Sequence, residues 1–211
     1  MNIISIVIKL LCIATFLFSQ PASTSLAAIY TINGKSGPWM WSNAGLNASY
    51  AYGVNDQVAP TSVTGLLSGQ TVTVTYASGT VKGAYSGQWG APVDANGDLR
   101  FQDVDSIPHG NGNFPAYYTS TRATTYYMQL IGVFANAQGQ IVGTPFAVGN
   151  GPTTVTVPSG ATALQLGIND NLFGDNTGAW NVNVQVVPEP STLSVLLLGL
   201  AFLPRCNRKA A

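Results

Sequence analysis

Apolar residues recur at every second position along several stretches of this 211-residue chain, and that period of two most limits what it can fold into. In Thr71-Val72-Thr73-Val74-Thr75-Tyr76, the residues Val72, Val74 and Tyr76 alternate with threonines. Residues 153–157, 163–168 and 180–186 repeat the pattern. Successive side chains of a strand point to opposite faces, so each stretch offers one face to a core and one to water. Residues 125–134 are apolar on both faces, as one long central strand would be. Turn residues separate the stretches at 67–70, 94–98, 138–139 and 158–160. Outside the two ends no amphipathic helix of about ten residues can be drawn. The expected fold is all-β: a two-layer β-sandwich of the jelly-roll kind, with apolar helical segments at both termini.

The ends read differently. Lys9 precedes an apolar run over residues 10–18, and small residues fill 22–28. A positive residue, an apolar segment and an Ala-x-Ala-like zone make a secretory signal peptide over residues 1–27. A transmembrane anchor is the competing reading, and the shortness of the apolar run opposes it.

Residues 188–211 carry Pro188-Glu189-Pro190, an apolar run over 193–203, and then Arg205, Arg208 and Lys209. Those 11 apolar residues span about 16 Å as a helix, against a bilayer core of about 30 Å. The run suits a temporary anchor that an enzyme reads and removes; a permanent anchor is the alternative. This tail resembles the PEP-CTERM sorting signal of Gram-negative, exopolysaccharide-producing bacteria. The resemblance implies an exosortase-type membrane protease as partner and transient membrane association through the tail. It also implies export across the inner membrane, ending at the cell surface or in the extracellular matrix.

Residues 28–187 form the remaining domain. They hold four Lys or Arg and seven Asp, a net charge of about −3, and both cysteines, Cys12 and Cys206, lie in the ends. With no basic excess to neutralise a phosphate backbone, no nucleic-acid partner is expected. Charged residues are 8% of the chain and aromatics 10%, which excludes disorder driven by charge. An exported domain without disulfides must be held by its core, and by metal if one binds.

Catalytic signatures are sparse. The lone histidine, His109, sits in the Gly/Asn-rich run His109-Gly110-Asn111-Gly112-Asn113, and no G-x-S-x-G elbow occurs. The aspartates are scattered rather than paired as in a glycosidase. No enzyme is expected. Asp94-Ala95-Asn96-Gly97-Asp98 has a calcium-like spacing, but Gly97 falls at position four of the loop rather than six, and Asp105 stands where a bidentate Glu would be needed. It reads as a turn.

The stronger candidate is Asn169-Asp170-Asn171-Leu172-Phe173-Gly174-Asp175-Asn176, between two strands. A loop turning back at Gly174 can bring Asp170 and Asp175 together, with the Asn176 amide oxygen beside them. Adjacent carboxylates repel unless a cation lies between them, and calcium takes six to eight oxygen ligands. A polar turn that caps its own backbone is the competing reading.

Asn169-Asp170, Gly174-Asp175-Asn176-Thr177-Gly178 and Trp180-Asn181-Val182-Asn183-Val184 resemble the C-terminal hairpin of the PA-I-like calcium-dependent galactose-binding lectins. Ser68-Gly69-Gln70, Gln88-Trp89-Gly90 and Pro108-His109 are similar in the same order. The resemblance implies a galactose-binding-like sandwich with calcium held by Asp170, Asp175 and Asn176 and by a backbone carbonyl near residues 80–82. It implies sugar contacts from His109, Asp170, Asn171 and Asp175, and a glycan or exopolysaccharide as ligand. Here the loop is two residues shorter than the family pattern, and Asp175 stands where the family carries an amide. Trp39, Trp41, Tyr50 and Tyr52 read as packing residues, whereas Trp89, in a Gly-rich loop, could stack on a sugar ring. A structural matrix protein of the same fold that binds no sugar is the alternative function.

Overall fold

The computed structural model describes residues 26–39, 57–85, 88–102, 108–109, 112–113, 125–170 and 172–187. The expected leader, apart from Leu26 and Ala27, and the whole expected sorting tail with Pro188, Glu189, Pro190 and Arg205 lie outside these residues. So do the helical segments expected at the termini.

Among the described residues every element is a strand. In chain order they are β1 (Leu26–Asn33), β2 (Thr61–Thr64), β3 (Thr71–Lys82), β4 (Ala84–Tyr85), β5 (Gln88–Trp89), β6 (Asp98–Gln102) and β7 (Pro108–His109). There follow β8 (Gly112–Asn113), β9 (Tyr126–Tyr127), β10 (Leu130–Ala135), β11 (Ile141–Ala147), β12 (Thr153–Thr156), β13 (Ala163–Ile168) and β14 (Thr177–Val187).

Two four-stranded antiparallel sheets carry the fold, in the orders β1-β14-β3-β12 and β11-β10-β13-β2. The chain passes repeatedly between them: β1, β3, β12 and β14 belong to the first sheet, and β2, β10, β11 and β13 to the second. One core joins the two. Ile32, Val72, Val74, Trp180, Val182 and Val184 from the first sheet share a single apolar cluster with Leu130, Leu164, Leu166 and Ile168 from the second. Each aliphatic side chain so buried contributes roughly 1.5–3 kcal/mol. The alternate residues face outward, where the Thr73 and Thr154 hydroxyls pair at 3.0 Å across β3 and β12.

The anticipated turns form. Gly69, Gly97, Gly139 and Gly160 all adopt positive φ, which costs glycine nothing because it has no Cβ. The stretch expected as one central strand is instead two. Met128, at φ 62°, breaks the run between β9 and β10, and its N–H donates to Asn169 O at 2.9 Å. All six residues of β10 are buried, as the apolar pattern on both faces requires. β1 takes up Leu26, Ala27 and Ala28, which overlap the expected cleavage zone. It pairs along β14 from Leu26↔Val186 to Asn33↔Ala179. Trp39 is buried in the core, as expected of a packing residue.

On its other side β14 pairs with β3, from Val187↔Thr71 to Thr177↔Lys82, with a bulge between Asn181 and Val182. This register sets the start of β14 beside the end of β3, where Gly83 leads into β4. The acidic loop meets the chain there.

Candidate functional site

The connection from β13 to β14 is tied down at its first residue. Asn169 N–H donates to Gln129 O at 2.8 Å, and Asn169 Nδ2 donates to Tyr126 O at 3.0 Å. The Phe173 side chain is fully buried and anchors the middle of the loop in the core. The chain then turns at Gly174, and Asn176 N–H donates to Phe173 O at 3.0 Å. Asn176 returns to the start of the loop: its Nδ2 donates to Asp170 Oδ2 at 2.9 Å. Asp170 Oδ1 also accepts from Leu172 N–H at 3.3 Å.

Asp170 is 2% exposed and Asn176 is 0% exposed. The Oδ1 of Asn176 is buried and finds no hydrogen-bond partner among the described residues. Gly83 lies against it: a Cβ there would come within 2.5 Å of that oxygen and would also collide with the Tyr127 hydroxyl. Tyr127 completes the enclosure by donating to Ala84 O at 3.1 Å. Burial pushes the Tyr127 phenol well above its usual range, and the charges of Asp170, Asp175 and Asp98 push it the same way. The hydroxyl is therefore a fixed neutral donor.

Asp170 and Asn176 are thus brought together. Asp175 is half-buried at the turn, and its charge reaches Tyr127 as that of Asp170 does. His109 pairs through its backbone with Gly112 in the two-residue ladder of β7 and β8, and its side chain, like all of Asn171, lies outside the described residues. The backbone carbonyl expected near residues 80–82 would come from the end of β3, where Thr80 and Lys82 pair with Ala179 and Thr177 at the start of β14. Just beyond it, the Ala84 carbonyl accepts from the Tyr127 hydroxyl. Tyr127, Gly83 and Ala84 leave no signal in residue spacing, because they reach the loop only through the folded register.

Among the described residues no group of three or more His, Cys, Asp or Glu side chains is gathered to hold a metal. The donors present are mixed: the Asp170 carboxylate, the Asn176 amide oxygen and backbone carbonyls. That oxygen set suits a hard cation such as calcium better than a soft one. The segment at 94–98 is a turn, as expected. Gly97 N–H donates to Asp94 O at 3.0 Å, and the two Asp94 carboxylate oxygens accept from Asn96 N–H and Asn150 Nδ2.

Comparison of the chain with protein-family models, curated proteins and solved structures finds no match.

Proposed function

We propose that this chain is an exported surface or extracellular-matrix protein whose β-sandwich binds carbohydrate through calcium, with a PEP-CTERM-like tail that directs its sorting. The observation that carries the proposal is the buried pair of Asp170 and Asn176, with one amide oxygen left unmatched. In the observed orientation the Asn176 N–H groups face the Asp170 carboxylate. Turning the amide over would set oxygen against oxygen, which is stable only with a cation between them. Asp170, Asp175, Asn176 and a nearby carbonyl would hold the ion, and sugar hydroxyls would replace its water ligands. No bond is made or broken.

The alternation of eight strands between two sheets supports the jelly-roll form of the sandwich. The tail reading rests on the motif Pro188-Glu189-Pro190, the short apolar run and the terminal bases.

Calorimetry of the full chain should show calcium uptake that Asp170→Ala abolishes; unchanged uptake in the variant refutes the site. A glycan array with and without chelator then separates lectin from scaffold, since a lectin loses its signal when calcium is removed. The scaffold reading has its own support: both Asp170 and Asn176 are almost wholly enclosed, which suits an ion that pins the loop. For the tail, peptides from residues 193–205 should be missing from the mature extracellular protein; their presence overturns the processing step.

A further inference from the structure

A recess of about 420 Å³ opens on the second sheet, at the end opposite the acidic loop. Ser62 and Thr64 of β2, Gln165 of β13, Thr162 just before it, and Asn136 and Gln138 from the β10–β11 turn form its walls. No charged or aromatic side chain lines it among the described residues. Gln165 is the unusual member. It lies between Leu164 and Leu166, which face the core, so it faces outward across from Ser62 and Val133. Despite that position it is only 9% exposed, and its Oε1 has no hydrogen-bond partner among the described residues. A buried amide oxygen left unmatched is costly. Rotation about the terminal dihedral exchanges oxygen and nitrogen, so the same side chain can offer the recess an acceptor or a donor.

We propose that this recess is a second, metal-independent binding site for an uncharged, hydroxyl-rich ligand, namely a sugar unit of a neutral polysaccharide. Ions meet no counter-charge here, and an aliphatic ligand leaves Gln165 unmatched. A sugar hydroxyl both donates and accepts, which fits walls made of amides and alcohols. The site does not depend on the acidic loop, which leaves the far end of β13 about 17 Å along the strand.

The test uses the full isotope-labelled chain with chelator present throughout. Uncharged tetrasaccharides of glucose, galactose and mannose are titrated in while side-chain amide signals are followed by NMR. At least one sugar should shift the Gln165 amide saturably. Gln165→Leu, which keeps the bulk of the side chain but removes its amide, should weaken that binding about tenfold. Ser62→Tyr, filling the recess from an exposed strand position, should abolish it. Absence of any Gln165 shift up to the solubility limit, or equal affinity in the Gln165 and Ser62 variants, overturns the proposal. Because no calcium is present, failure of the loop to bind the ion leaves this result untouched.

Discussion

Asn176 donates its Nδ2 to Asp170 Oδ2 across 2.9 Å, in a pair that solvent barely reaches. Removing the donor leaves a buried carboxylate short of one hydrogen bond. Asn176→Ala should therefore destabilise the chain by about 1.5–3 kcal/mol in urea unfolding without calcium. A wild-type midpoint would mean that the pair contributes nothing to stability.

Tyr127 predicts the alkaline behaviour. Its folded phenol titrates far above the unfolded value of about 10, so its contribution is complete below that pH and is lost as pH rises past it. Tyr127→Phe should flatten the stability loss above that point. At neutral pH it should cost about 1 kcal/mol through the bond to Ala84 O. Phenolate absorbance, taken as the difference between wild type and Tyr127→Phe, should show Tyr127 titrating only on unfolding; its titration in the native state would contradict the enclosure described.

Asp98 sets an acid counterpart. The Arg100 guanidinium hydrogen-bonds its carboxylate, with Nε at 2.8 Å from Oδ1, and holds the Asp98 carboxyl below its ordinary value. A depressed folded value gives stability that is present above the unfolded carboxylate range, near 4, and is lost as pH falls through the folded one. Arg100→Ala should lower stability modestly at pH 7, make it less dependent on pH in that acid window, and change little below it. An unaltered acid profile would count against the ion pair. Arg100 is largely exposed, so the effect should shrink as salt rises.

Gly167 lies under the segment that follows β1. A Cβ there would strike the backbone of Gly37 and Pro38, which cannot swing aside as a side-chain tip can. Gly167→Ala should cost about 1–3 kcal/mol, read as a lowered melting temperature. A neutral result would show that the segment at 36–39 can lift away from β13.

Much of the fold is legible in the sequence because burial is one-sided. In β3 and β14, Thr, Asn and Gln alternate with Val, so the pattern alone names the face that enters the core. β10 is recognisable as central because it is apolar on both faces. The break at Met128 is not, since left-handed backbone at a non-glycine residue leaves no mark in hydrophobic pattern. β1 is obscured because Ala27 and Ala28 fit a strand and a cleavage zone equally well. In the candidate site, Asp170 and Asn176 are six residues apart and can be paired by eye. Tyr127 and Ala84 are 43 residues apart, and only the strand register brings them to the same place.

The pairing of Leu26 with Val186 puts both chain ends of the β-domain at one pole. β14 runs from the acidic loop to that pole, a length of roughly 30 Å. Chain that continues from either terminus therefore leaves the β-domain at the pole farther from the Asp170 loop.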